Sequence, residues 1–122
     1  MASEELEALK REIDEAIAIS GRSEELTHKP MFGGVCSYAD GRVFASLSNV
    51  GIGLKLSAKD QEEALKIEGA KRLQYEESMQ PSKSYIVLPA TLRSSAEQFA
   101  GWVELSVKYV LTLPAPKKKQ KE

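Results

Sequence analysis

The stretch Val35-Cys36-Ser37-Tyr38-Ala39-Asp40-Gly41-Arg42-Val43-Phe44-Ala45-Ser46-Leu47 decides the fold class. Two short β-rich runs, residues 35–39 and 42–47, are separated by Asp40-Gly41 alone. A two-residue hairpin loop of type I′ needs positive φ at both central positions, which Asp and Gly adopt more readily than most residues. The pair therefore predicts an antiparallel hairpin. Strict alternation puts Val43, Ala45 and Leu47 on one face and Phe44 on the other. Asn49-Val50-Gly51 then turns the chain into Ile52-Gly53-Leu54-Lys55-Leu56, a third strand whose apolar residues alternate with Gly53 and Lys55.

Upstream of the hairpin, Leu6, Leu9, Ile13, Ala16 and Ile17 recur at spacings of three and four, which predicts an amphipathic helix over residues 3–20. Ser3 can cap it, Glu4, Glu5 and Glu7 suit the positive end of its dipole, and Gly21 is a natural stop. Residues 22–30 are polar and read as a connector, with Pro30 holding Lys29 out of helical geometry.

Downstream, Ser57 and Asp60 form a capping box for a helix over residues 58–68, with Ala64, Leu65 and Ile67 inward and Gly69 closing it. Residues 71–77 read as a strand with Leu73 and Tyr75 on one face. A loop at 78–83 and a fifth strand at 84–88, ended by Pro89, follow. Ser94 and Glu97 make a second capping box, and Phe99, Trp102, Val103, Ser106, Val107 and Val110 continue at helical spacing. Phe99 and Trp102 are expected to supply much of the core. The order α-β-β-β-α-β-β-α predicts an α+β fold in which helices cover one face of an antiparallel sheet. Residues 1–113 form one domain in this reading, and residues 114–122 a disordered basic tail.

With 122 residues the chain can bury a core without metals or disulfides. Hydrophobic residues make up 42% of it and charged residues 29%. That balance excludes collagen-like, mucin-like and generally disordered classes. No apolar run approaches the length of a membrane span, and the acidic start Met1-Ala2-Ser3-Glu4-Glu5 does not read as a signal peptide. A single cysteine makes no internal disulfide, so a reducing, cytoplasmic setting is expected. The net charge of −1 hides an asymmetry: without Lys117, Lys118, Lys119, Lys121 and Glu122 the balance is 13 basic against 17 acidic residues.

The residues that carry chemistry are few. His28 is the only histidine, which excludes His-based metal clusters, and it reads as a solvated or capping side chain in the connector. Cys36 lies inside a predicted strand, where a cysteine thiol usually acts as a small hydrophobe rather than a nucleophile. Gly51-Ile52-Gly53-Leu54-Lys55 lacks phosphate-loop spacing and opens a strand, so its glycines read as a turn and a close backbone approach. Gly33-Gly34 reads as a bulge or entry turn, with an anion-binding nest as the sharper alternative. Glu76-Glu77 has no partner carboxylate at a definable distance.

From Lys29-Pro30-Met31-Phe32-Gly33-Gly34 onward the chain resembles the N-terminal domain of the TfoX/Sxy competence regulators. Tyr38-Ala39-Asp40-Gly41-Arg42-Val43-Phe44-Ala45 is similar to that family's hairpin, and Leu54-Lys55-Leu56 to its third strand. Gly69-Ala70 through Tyr75-Glu76 resembles its helix exit and fourth strand. Ser84-Tyr85-Ile86-Val87-Leu88-Pro89 resembles its last strand, and Trp102-Val103 falls in its closing helix. The resemblance spans residues 27–110 and implies a secretion-chaperone-like α/β sandwich. In the full-length regulators this domain precedes a helical C-terminal domain and acts with a cyclic-AMP receptor protein at promoters of DNA-uptake genes. It implies no catalytic residues. Met31, Phe32, Gly33, Gly34 and Tyr85 are the motif positions, expected to be structural, with Phe32 aimed at the sheet.

The expectation is therefore a non-enzymatic regulatory or adaptor domain, without cofactor or metal, that works through a protein partner such as a transcription factor; a homodimer stays open. The alternative is a small nucleic-acid-associated protein using Arg42, Lys55, Arg72 and Lys83 with Lys117, Lys118, Lys119 and Lys121 of the tail. A small-molecule-binding domain is the third reading.

Overall fold

The computed structural model describes residues 3–31, 34–74, 76 and 78–113. The elements are α1 (Ser3–Ser20), β1 (Leu26–Met31), β2 (Gly34–Ala39), β3 (Arg42–Ser48), β4 (Gly51–Lys55), α2 (Ala58–Leu65), β5 (Lys71–Arg72), β6 (Tyr85–Val87), α3 (Ala90–Arg93) and α4 (Ala96–Leu111). The six strands form one antiparallel sheet in the order β1-β2-β3-β4-β6-β5. The α+β class and the antiparallel sheet match the sequence reading.

The α1 stripe folds as expected: Leu9, Ile13 and Ala16 are buried, and Leu6 and Ile17 pack at the margin of the same core. Gly21 ends the helix at φ 74, with its N–H donating back to the Ile17 carbonyl at 3.2 Å. Glycine enters that left-handed region without a Cβ penalty. The connector expected at 22–30 is instead largely a strand. Leu26–Met31 pairs with β2 over six residues and forms one edge of the sheet. An edge strand needs hydrogen bonds on one side only, so it tolerates Pro30 and a polar composition. Tertiary contacts supply what its sequence does not advertise. At its start Asp40 bridges to Glu25 twice, through Asp40 N–H to the Glu25 carbonyl at 2.9 Å and Glu25 N–H to Asp40 Oδ1 at 2.8 Å.

The Asp40-Gly41 turn has φ values of 50 and 82. A type I′ loop requires positive values at both positions. The hairpin it joins departs from strict alternation. Ser37 pairs with Ala45 but Tyr38 with Val43, so Phe44 is an extra residue in β3. The bulge turns the Phe44 ring into the same core as Ala45 and Leu47 and leaves Val43 half-exposed, which corrects the predicted faces. Ser106 of α4 answers the interrupted ladder. Its hydroxyl, fully buried, lies 3.0 Å from the Phe44 carbonyl and 2.7 Å from the Lys55 carbonyl. A polar side chain at a core position of the last helix thus satisfies backbone acceptors.

Ser57 caps α2 through the Asp60 N–H at 3.2 Å. The helix stops at Leu65, short of the predicted 68; Ala64 is buried, Ile67 packs partly, and Leu65 faces solvent. The predicted strand at 71–77 shrinks to Lys71–Arg72, because Leu73 leaves the ladder to cover Gly53 after one more bond to the Tyr85 carbonyl. Tyr75 and Glu77 lie outside the described residues. The fifth predicted strand is trimmed to Tyr85–Val87, and Pro89 opens a short helix, α3, rather than only ending a strand. Ser95, not Ser94, caps α4, accepting from the Gln98 N–H at 3.4 Å, while Ser94 donates to the Thr91 carbonyl. Phe99 is buried as expected, but Trp102 sits only at the core margin.

Helix α4 packs on α1, β3 and β4, and α1 packs on β3, on one face of the sheet. Glu12, midway along α1, pairs with Arg93 just ahead of α4, and Arg22, just past α1, lies 3.6 Å from Glu104 midway along α4. The two helices therefore run in the same direction.

Candidate functional site

Alternation along the strands divides the side chains between two faces. The helix side of β2 carries Val35, Ser37 and Ala39, all buried. Cys36 and Tyr38 point the other way and are half-exposed, and Lys29 of the neighbouring strand places its Nζ 5.2 Å from the centre of the Tyr38 ring. Lys55, in step with Gly53 on β4, continues this outer face beside Tyr85. Towards β6 the segment that follows β5 folds over the outer face, so that Gly53 and Val87 are buried there beneath Leu73 and its neighbours.

On the helix side His28 is not a solvated connector residue. Its side chain is 17% exposed, with Nδ1 2.8 Å from Ser37 Oγ and Nε2 3.0 Å from Asp14 Oδ1. With Asp14 ionised, Nε2–H donates to the carboxylate and a neutral ring leaves Nδ1 to accept the serine proton. The composition is that of a serine hydrolase triad, but the access is wrong. Ser37 is fully buried, so its oxygen cannot reach a substrate carbonyl. The chain Ser37–His28–Asp14 instead ties β2, β1 and α1 together.

Cys36 lines a cavity of about 270 Å³ between the sheet and the segment after β5, with Ser46, Leu73, Gln74, Met79 and Tyr85 among its walls. Burial pushes the Cys36 thiol above its ordinary range and raises Tyr38 likewise. A thiol shifted in that direction is less nucleophilic at neutral pH, not more. A second groove, of about 460 Å³, opens between α1, the β3–β4 turn and α3, with Glu5, Glu12, Asn49 and Arg93 on its walls. Arg93 donates to Glu12 across it through Nη1. Among the described residues no group of three or more His, Cys, Asp or Glu could hold a metal ion.

The positions singled out from the sequence scatter. Gly34 is buried, and its backbone runs so close to β3 that a Cβ would collide with the Leu47 carbonyl oxygen. That close approach, rather than an anion nest, explains the glycine. Met31 pairs with Gly34 in the ladder. Phe32 and Gly33 lie outside the described residues, as do Lys117, Lys118, Lys119 and Lys121 of the expected tail. Tyr85 is half-buried, opposite Lys55 in β6, and its N–H donates to Ser82 Oγ at 3.0 Å. Arg72 is committed to Gln61 Oε1 at 2.7 Å and the Ser82 carbonyl. Arg42 pairs with Ala39 beside the hairpin turn, with its Nε buried and unbonded. Lys83 lies ahead of β6, outside the ladder. The sheet register sets none of the three strand-borne cations opposite another. Sequence reading missed the Glu12–Arg93 pair, whose members are 81 positions apart, and the Asp14–His28–Ser37 chain, which needs α1 laid across β1 and β2.

The sequence matches the TfoX N-terminal domain over residues 19–110. The chain belongs to the TfoX N-terminal domain family. The matched span holds all six strands, α2, α3 and nearly all of α4, and it starts at the last turn of α1. Neither the curated proteins nor the solved structures contain a match. Among the described residues no helix is long and apolar enough to cross a membrane.

Proposed function

We propose that this TfoX-type domain is a non-enzymatic regulatory adaptor that binds a protein partner in transcriptional control, using the outer face of β1 and β2. The observation that carries the reading is the contrast between the two sheet faces. Groups that could do chemistry are committed: Ser37 is sealed, the Cys36 thiol is pushed up, and Arg93 is held by Glu12. The outer face of β1 and β2 instead offers an exposed Lys29 over the half-exposed Tyr38 ring, with Lys55 beyond, a cationic patch on an otherwise acidic domain. Such a surface suits an acidic protein patch, with Tyr38 as the rigid anchor and the lysines steering the encounter. The family membership supports the regulatory context. The nucleic-acid alternative draws less support from the fold, since Arg72 is engaged internally.

A photo-crosslinking amino acid placed at Tyr38, with a control at the exposed Glu62 of α2, tests this in cells. Expected is one defined protein adduct at Tyr38, lost with Lys29→Glu, and none at Glu62. Equal, diffuse labelling at both positions would sink the proposal.

A further inference from the structure

We propose that α4 pairs with α4 of a second copy of this chain, antiparallel, about a two-fold axis level with Val103. The helix buries Phe99, Ala100, Val103, Ser106, Val107 and Val110 against the sheet and α1. Its opposite face carries Glu97, Gly101, Leu105 and Lys108, all exposed, with Leu105 at 37%.

Gly101 is the first observation. It sits in the middle of the helix on the solvent side, and a Cβ there would meet nothing within 4 Å. Glycine is the poorest helix former after proline, and nothing inside this fold needs the space. Exposed helical glycine lets another helix approach closely, and Leu105, one turn on, is a side chain of the size to enter the gap.

Charge complementarity selects the occupant and its direction. In an antiparallel pair centred at Val103, Leu105 of each copy faces Gly101 of the other. Lys108 then faces Gln98 and, one position over, Glu97 of the other copy. A two-fold interface must be self-complementary, and this face is: one knob, one hole, one acid and one base, each meeting its opposite twice. A parallel pair would set Glu97 against Glu97, Lys108 against Lys108 and Gly101 against Gly101, with like charges opposed and the gap unfilled. Half-buried Trp102 and Tyr109 flank the same contact. One helix face of four turns falls short of a standard interface, so the dimer is weak and concentration-dependent. The inference is independent of the outer-face reading above.

Sedimentation equilibrium of the full chain from about 1 μM to about 1 mM, at low and high salt, tests it. Expected is a monomer–dimer equilibrium that Lys108→Glu weakens about tenfold, as Glu97→Lys does, while the double reversal restores it. Gly101→Leu should abolish the dimer while raising the melting temperature, since the monomer has room for the side chain. A monomer throughout the range overturns the proposal. So does a dimer that survives Gly101→Leu, or one that the double reversal fails to restore.

Discussion

The two faces of the sheet are built from the same strands and treat polar side chains in opposite ways. On the helix side, the buried serines Ser37 and Ser106 are admitted with partners. Ser37 is bonded to His28, and Ser106 closes the gap that the Phe44 bulge leaves in the ladder. On the outer side of β1 and β2, Cys36 and Tyr38 stay half in water and Lys29 is exposed. A buried serine under the helices is therefore a commitment of the fold, while the exposed Lys29 on the outer face is open to a protein partner. Substitutions should separate the two faces cleanly.

The largest effect is expected at Gly34, where strand packing leaves no volume at all. Gly34→Ala places a methyl against the Leu47 carbonyl, and β2 and β3 must separate to admit it. Destabilisation of about 3 kcal/mol or more is expected, read as a loss of the folded baseline in urea. Gly101→Ala serves as the control and should stabilise, since its site is open.

Ser106→Ala comes next. It removes the donor shared by the Phe44 and Lys55 carbonyls and leaves buried acceptors dry. The expected cost is about 1–3 kcal/mol in a chemical denaturation midpoint, with no change in the slope. If the bulge had a second donor, the cost would vanish, and the contrast between the faces would weaken with it. Lys29→Ala on the outer face should change stability by less than about 1 kcal/mol, the value of an exposed cation–π contact.

His28→Ala probes the tie between α1, β1 and β2. The substitution strands the buried Ser37 hydroxyl, so a cost of about 1–2 kcal/mol is expected. Adding Ser37→Ala should recover part of it, because the orphaned hydroxyl goes too. A double-mutant cycle measures that coupling. Hydrolysis of activated esters should be the same in all four proteins of the cycle, since the hydroxyl is sealed under the helix. A rate that falls with either substitution would turn the structural reading of these residues into a catalytic one.

These same residues show what can be read from a sequence. The β2–β3 hairpin is legible because positive φ at Asp40 and Gly41 is a local demand with few solutions. The stripe of α4 is legible because its inward residues repeat over four turns. β1 is not legible: its Leu-Thr-His-Lys-Pro-Met run has no alternation worth the name, and its partners, Asp14, Ser37 and Asp40, come from other elements. The face of Phe44 eludes a period-two reading because a bulge adds one residue, and nothing local marks it. The candidate surface is the least legible part. Lys29 and Tyr38 meet only once β1 is seen to be a strand, and the Glu12–Arg93 groove joins opposite ends of the chain.

The smallest effect is expected beside the helix layer, at Arg22 and Glu24, and it has a defined pH signature. The Arg22 guanidinium donates to both Glu24 oxygens at 2.8 Å, and this hydrogen bonding holds the Glu24 carboxyl below the usual carboxylate range. The same contact raises Arg22, which stays charged at every relevant pH. A carboxyl whose pKa is lower in the folded state than in the unfolded chain contributes stability above its unfolded value, about 4.3 for glutamate, and loses it as pH falls through the folded value. The pair is local and lies near the surface, so its worth is less than about 1 kcal/mol once solvent screening is counted. Glu24→Gln should therefore lower the melting temperature by a degree or two at pH 7. The difference from the parent should shrink as pH falls below the unfolded glutamate value and through the lowered folded one, and vanish once both proteins carry a neutral side chain there. A gap that stayed constant from pH 7 to pH 2 would show that the amide disturbs packing at the end of α1 rather than removing a charge. A gap that widened in acid would mean that Glu24 is protonated in the native state and that Arg22 relies on Glu104 instead.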